Sequence, residues 1–372
     1  MQLRNVSTWA GWALAALLWI PAQAQLLIGQ TVGITGSAAA TVKESMGGAA
    51  LYFDAVNARG GVNGQKIELA ALDDQFDPKL TLENARVLIE EKNVLALFMT
   101  RGTPHTQGIL PLLDKYGVVL VGPSTGAMAL HRPLQRQIFN VRAPYQLEVV
   151  RAITHLKILG IKHIGVVHVD DTFGADALEG AKRGFQTNNM QAAFIEKFDR
   201  SKPDFSAIAP RAAKASPQAV FVIGTGSAVV DGIKALRAAG VKGQILTLSN
   251  NASGGFVKAL GEDARGVVVT QVFPFERSVS HEVIREAQAL VKARGLAELT
   301  PAMVEGFVNA RVLVEGLRRA GPKPSRAAIR EALESIQNFD LGGMRISYGT
   351  NSHTGLDYVD LSIIDADGKF LR

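Results

Sequence analysis

The chain has no cysteine in 372 residues. That excludes a disulfide framework, thiolate metal sites and thiol nucleophiles, so stability has to come from burial. Long apolar runs are also scarce. After residue 24 no stretch approaches the ~20 apolar residues that cross a bilayer, which argues against a transport pore. Short cofactor and catalytic signatures are missing: there is no G-x-x-x-x-G-K-[ST] loop, no HExxH, no CxxC and no EF-hand loop. Gly224-Thr225-Gly226 lacks the third glycine of a dinucleotide fingerprint. The seven histidines are scattered, and His163 and His168 fall on opposite faces of one expected strand, so they do not share a metal. Neither cofactor nor metal is expected. The net charge is +6, but the densest cationic stretches, 132–136 and 318–323, hold two or three cations each. They lack the interleaved aromatics of a nucleic-acid platform, so no nucleic-acid partner is expected. A dispersed positive field still draws small anions toward a cleft.

What is present begins with a leader. Arg4 and the amino terminus form a positive start, residues 9–20 an uncharged apolar segment of about a dozen residues, and Pro21 breaks it. Ala22-Gln23-Ala24 supplies the small-x-small pattern read by signal peptidase. Residues 1–24 are therefore expected to be a signal peptide, cleaved after Ala24. The remainder is expected to be exported and not inserted in a membrane, with no cysteine for a lipid anchor. At 47% hydrophobic and 20% charged residues, that remainder has the balance of an ordinary globular protein long enough for two domains.

From Gln25 short apolar runs alternate with longer amphipathic ones. Strands are expected at 26–34, 66–72, 95–100 and 118–121, with helices at 42–58, 78–91 and 104–116 between them. After residue 140 the rhythm resumes, with helices at 145–159, 174–188, 204–215 and 227–239. Strands at 163–169, 192–198, 219–223 and 244–249 separate these helices. Such alternation predicts α/β architecture with parallel sheets in two doubly wound lobes. The last part differs: helices at 301–319 and 325–335, then a strand pair near 344–348 and 358–364. No low-complexity linker separates the halves, which predicts short crossover strands acting as a hinge and a cleft that closes.

In open α/β sheets ligands bind beyond the carboxyl ends of strands. Three loops stand there. Thr100-Arg101-Gly102-Thr103-Pro104-His105-Thr106 offers hydroxyls and free N–H groups at a helix start, which suits an anion; Thr103 could equally just N-cap the helix, with Pro104 first in it. Gly122-Pro123-Ser124-Thr125-Gly126 matches the G-x-S-x-G nucleophile elbow, but Pro133 interrupts the helix that motif requires and no HGGG-type loop precedes it. A Ser124–Asp340–His353 triad has no local support, so a turn presenting N–H groups to a ligand is the better reading, and no enzyme is expected. Asp170-Asp171-Thr172-Phe173-Gly174 either contacts a cation or ligand or favours the start of the following helix.

In order along the chain, several motifs resemble one family. They are Leu27-Ile28-Gly29 with Thr35-Gly36, FDAVNARGGVNG at 53–64, Asp73-Asp74-Gln75-Phe76-Asp77-Pro78, Asp204-Phe205-Ser206 and Leu236-Arg237-Ala238-Ala239-Gly240. The whole mature chain resembles the periplasmic branched-chain amino-acid-binding (Leu/Ile/Val-type) family, the type I solute-binding components of ABC importers. The resemblance implies a Venus-flytrap fold with three hinge crossings, near 141–145, 271–275 and 340–345. Lobe 1 is then 25–142 with 273–343, and lobe 2 is 143–272 with 344–372. It also implies a periplasmic location, a small-molecule ligand, a membrane permease as partner and a monomer.

By the same resemblance, Thr103, Ser124 and Gly126 hold a ligand carboxylate. The resemblance likewise has Phe173 cover the apolar part, with further contacts near Thr225 and Ser249. Beside the resemblance, Asn250 and Asp171 are expected to select at the far wall together with Thr225 and Ser249, and Arg101 to be a further anion anchor. The chain also departs from the family. Ser249-Asn250 stands where amino-acid binders have an acidic partner for the α-ammonium, and Phe173 where a tyrosine is common. Phe76 and Gly102 occupy the positions of a frequent lobe-one disulfide. The expected function is capture of a small carboxylate-bearing solute, an amino acid or related organic acid or amide, for delivery to a permease. The alternatives are a ligand-sensing module for a membrane receptor and, as an outsider, a secreted serine hydrolase.

Overall fold

The computed structural model describes residues 25–372; the expected leader and its cleavage site lie outside them. The first run of elements is β1 (Gln25–Val32), α1 (Ala39–Ala58), β2 (Lys66–Asp73), α2 (Pro78–Arg86), β3 (Ala96–Phe98), α3 (Thr103–Tyr116), β4 (Val119–Val121) and β5 (Ile138–Phe139). Its strands form a five-stranded sheet in the order β2-β1-β3-β4-β5, with every pairing parallel. β3 and β4 read Ala-Leu-Phe and Val-Leu-Val and are buried throughout, as a parallel strand covered on both faces demands.

The second run is α4 (Tyr145–Ile158), β6 (Ile164–Val169), α5 (Thr172–Thr187), β7 (Ala192–Phe198), α6 (Ile208–Lys214), β8 (Ala219–Ile223), α7 (Ser227–Ala238), β9 (Gln244–Thr247), α8 (Gly254–Leu260) and β10 (Val268–Gln271). The chain then returns through α9 (Glu282–Ala293), α10 (Pro301–Arg319), α11 (Arg326–Glu334), β11 (Phe339–Asp340) and β12 (Arg345–Ile346), and ends with β13 (Asp360–Ile364) and β14 (Phe370–Leu371). The second sheet has seven strands in the order β14-β13-β10-β9-β8-β6-β7. It is parallel from β7 to β10 and antiparallel at β13 and β14.

Each sheet has its own core. The first gathers Leu26, Ile28, Phe98 and Val121 with Phe307, Val308 and Leu313 of α10. The second gathers Val166, Val167, Phe221 and Ile245 with Val149 and Ile153 of α4. α10 returns to the first lobe because its apolar face docks on α1, where the Tyr52 and Phe307 rings meet edge-on at 5.0 Å. That crossing needs glycine on both helices. A Cβ at Gly48 would fall 1.9 Å from the Met303 carbonyl oxygen, and one at Gly306 1.8 Å from that of Ser45.

Two expectations need correction. The strands near 344–348 and 358–364 are not partners: β12 pairs with β11, and β13 with β10 and β14. Met344, Ile346, Tyr348 and Leu356 pack in the first core, so the third passage between lobes follows Leu356 instead of lying near 340–345. Between 249 and 301, where no element was anticipated, the chain forms α8, β10 and α9. Among the described residues no helix is long and apolar enough to cross a membrane.

Candidate functional site

The carboxyl ends of both sheets face each other, and the loops leaving them build one buried polar interior. From the first sheet come Arg101 after β3, Ser124 and Gly126 after β4, and Arg142 after β5. From the second come Asp171 after β6, Thr225 after β8, and Ser249 with Asn250 after β9. The lobes are closed on one another. Thr41 and Ser253 share a hydroxyl hydrogen bond of 2.9 Å. The N–H groups of Gly254 and Gly255 donate to the Glu44 carboxylate at 3.1 and 2.8 Å, and the Ser227 N–H donates to the Ser37 carbonyl at 3.3 Å.

Arg101 lies at the centre of this closure and is 3% exposed. Its guanidinium donates to Ser124 Oγ at 3.0 Å in its own lobe and to the Asn250 carbonyl in the other. Ser124 in turn donates to Glu305 Oε1 of α10 at 3.1 Å. No carboxylate oxygen among the described residues lies within ion-pair distance of Arg101, which has no place among the ion pairs of the fold. Burial pulls its pKa down from the ordinary arginine value, and Glu305 is the main group drawing it back up.

Arg142 is the contrasting case. It is 1% exposed and pairs with Glu148 Oε1 at 2.7 Å and Glu305 Oε1 at 3.5 Å. It also donates to Ser249 Oγ. The other Glu148 oxygen accepts from the Ser249 N–H at 3.1 Å and from the Thr270 hydroxyl. Burial disfavours the Arg142 cation, but the Tyr145 ring oxygen, Glu148 and Glu305 outweigh it and raise its pKa. The guanidinium also stands 4.7 Å over the Tyr145 ring, whose own pKa burial raises.

The residues expected at the site fall into three groups. Arg101, Ser124 and Asn250 meet directly. Ser249 joins the Arg142–Glu148 network instead, and Phe173 packs on Tyr145 with centroids 4.7 Å apart. Thr225 is buried beside Asn250, whose amide donates to Thr225 Oγ1 at 3.4 Å and to the Gly224 carbonyl at 2.9 Å.

Thr103 is not the N-cap. Gly102 holds that place at φ 96°, and Thr103 opens α3 with its hydroxyl 2.7 Å from that of Thr125. Gly126 is buried against the hinge, its carbonyl accepting from the Tyr145 N–H at 2.8 Å. Asp171 is committed elsewhere: Oδ1 caps α5 through the N–H groups of Phe173 and Gly174, and Oδ2 pairs with Arg200.

The Ser124–Asp340–His353 triad is not assembled. Asp340 accepts from Gly342 and Gly343, and His353 stacks on Phe139 and faces Glu334 at 3.5 Å. Among the described residues no three His, Asp or Glu side chains are arranged to hold a metal ion.

Sequence reasoning missed Arg142, Tyr145, Glu148 and Glu305. A signal was available: Arg142 is the single charge in the stretch 137–147, and Glu305 sits between Met303-Val304 and Phe307-Val308. Charges so placed are buried only when partnered.

Two doubly wound lobes, crossed three times by the chain and closed over a cleft of hydroxyls, amides and guanidinium groups, form the architecture of type I periplasmic binding proteins. The chain belongs to the periplasmic binding protein family, which it matches over residues 25–369, and its relatives are of the Leu/Ile/Val-binding type. It is 22% identical over 353 residues to the Leu/Ile/Val-binding protein homolog 3 of Brucella melitensis, covering 94% of each chain. It is 24% identical over 201 residues to an amino acid binding protein of Pseudomonas aeruginosa, spanning 54% of each. A substrate-binding periplasmic protein of Ralstonia solanacearum superimposes with a TM-score of 0.85 at 31% identity, over 93% of this chain and 99% of that one.

Proposed function

We propose that this protein is the exported solute-binding component of an ABC importer. It captures a small carboxylate-bearing molecule by closing its lobes and delivers it to a membrane permease, without catalysing a reaction. The observation that carries this reading is Arg101: a guanidinium at the meeting of the lobes, 3% exposed, with hydrogen bonds to a hydroxyl and a carbonyl but no anionic partner. An uncompensated buried charge is costly, and a ligand carboxylate removes that cost only when the cleft is shut. Closure is thus biased by contacts present in one state alone. Thr103, Ser124 and Gly126 line the same side, and Phe173 with Tyr145 supplies an apolar wall. The names of the relatives favour an amino acid or a related acid.

The test is a thermal-shift and calorimetric screen of the mature protein against amino acids, aromatic acids and short dicarboxylates. A ligand at a hundredfold excess over Kd adds ~2.7 kcal/mol of apparent stability. Arg101→Gln should lose the response, because truncating one partner of a buried charge pair costs about 2–5 kcal/mol. An undiminished response in that variant, or binding confined to uncharged solutes, counts against the reading.

A further inference from the structure

We propose that Arg326 and Arg330 form a second anion site, remote from the cleft, that takes a phosphate-type group. The two arginines lie one turn apart on α11 and line a surface cavity of about 450 Å³. Its other walls include Asn93 and Leu95, which lead into β3, and Tyr116 and Gly117 at the end of α3. β3 and β4 begin just after Leu95 and Gly117, so the cavity stands at the amino ends of the first sheet. The cleft stands at the carboxyl ends, and the two share no residue.

Both charges are unanswered. Arg330 makes no hydrogen bond, ion pair or ring contact with any described residue, and its Nε is sealed from solvent without an acceptor. Two other arginines have a bare, sealed Nε, but Arg142 pairs with Glu148 and Arg311 with Glu286. Arg326 donates through Nε to the Val94 carbonyl at 3.1 Å. Its Nη2 donates to the Ile89 carbonyl at 3.1 Å and to Asn93 Oδ1 at 3.0 Å. These acceptors are neutral, and Nη1 bonds to no described residue. Burial pulls the Arg326 pKa below the ordinary arginine value, with no carboxylate drawing it back. Tyr116 donates its hydroxyl to Glu90 Oε1 at 2.6 Å, and Glu90 pairs with neither arginine.

Helix electrostatics do not account for the pair. Like charges one turn apart repel, and cations in the first turns of a helix oppose its dipole. A bound anion relieves both. A guanidinium presents its donors as a planar fork that fits phosphate or carboxylate, and the charge count chooses between them. A carboxylate neutralises one of the two cations, whereas a phosphate monoester, at about −1.5 to −2 near pH 7, answers both. Leu95 and the Tyr116 ring give an apolar flank for the organic part that carries the phosphate. That chemistry is supplied by a soluble phosphate ester or by a lipid headgroup.

The experiment titrates the mature protein with inorganic phosphate by calorimetry, with acetate at matched ionic strength beside it. Phosphate should bind about tenfold more tightly than acetate or better, and Arg330→Gln should weaken it about tenfold or more. Arg101→Gln, which removes the anion anchor of the cleft, should leave phosphate binding as it is. The wild-type comparison of the two anions needs no variant, so a misfolded Arg330→Gln does not spoil the test. Co-sedimentation with vesicles then separates the sources. Sedimentation with phosphatidic acid vesicles but not phosphatidylcholine vesicles, lost in Arg330→Gln, assigns the phosphate to a lipid. Phosphate binding without sedimentation assigns it to a soluble ester. No phosphate binding by the wild type, or acetate bound as tightly, overturns the inference. So does phosphate binding that survives Arg330→Gln or disappears in Arg101→Gln. The reading of the cleft stands or falls separately.

Discussion

Arg101 and Arg142 carry the same charge at nearly the same depth, and their surroundings give them different tasks. Arg142 is compensated by Glu148 and Glu305, so it holds the hinge and the second lobe's loop in register. Replacing it with methionine strands two buried carboxylates, and unfolding in urea should show a loss of about 3–5 kcal/mol. A loss under ~1 kcal/mol would show that the network is not structural. Arg101→Gln should instead leave the ligand-free protein at least as stable as the wild type, since it removes a buried charge with no anionic partner. His105 is a third buried polar residue, stacked on Phe76 with ring centroids 4.4 Å apart. Burial lowers its pKa to about 4. Below its unfolded value of about 6.5 the unfolded chain takes up a proton that the folded chain refuses, so stability falls as pH drops from about 6.5 toward 4. His131, also lowered to about 4 by burial first, acts in the same direction. His105→Gln should therefore shrink the fall in melting temperature between pH 7 and pH 4.5; an unchanged fall would place the acid sensitivity elsewhere.

Among the elements, those with local signals were legible in advance. α10 starts at Pro301 with Thr300 as its cap, and α2 begins Asp77-Pro78, with Asp77 accepting from the Lys79 N–H. The short buried strands β3 and β4 stood out as apolar runs. α8, β10 and α9 did not register, although Val283, Ile284, Ala287 and Val291 recur at helical spacing among charged neighbours. The partners of β12 and β13 were not readable either, because pairing is long-range. The start of α8 also serves closure: Glu44 of α1 accepts from the Gly254 and Gly255 N–H groups across the cleft. Glu44→Ala should weaken ligand binding while leaving the ligand-free melting temperature nearly unchanged, and unaltered affinity would remove Glu44 from the closing contacts. Gly226 bears on the same motion. A Cβ there would fall 1.7 Å from the Ser37 carbonyl oxygen of the other lobe. Its φ of 53° taxes any replacement in open and closed states alike, whereas the clash exists only when closed. Gly226→Ala should thus raise Kd more than it lowers stability, as calorimetry beside thermal melts would reveal.

Taken whole, the molecule is two sheets with separate cores, joined by a chain that crosses after β5, after β10 and before β13. Separate cores let the lobes move as units, and hydrogen bonds such as Thr41–Ser253 and those of Glu44 join them, which suits reversible closing. Small-angle scattering should record a smaller radius of gyration once ligand is added, and an unchanged radius would mean that binding does not operate through closure. The α/β alternation, the two lobes and the loops that face the cleft are written locally along the chain, because strand and helix periodicity and glycine turns are local properties. Arg101 and Ser124 lie in such loops and are marked with them. Which charges are paired and which are free is settled by the folded arrangement alone. Arg142, Glu148 and Glu305 come from three distant segments, and whether a buried carboxylate is neutralised or available depends on distances of a few ångströms that no spacing along the chain encodes.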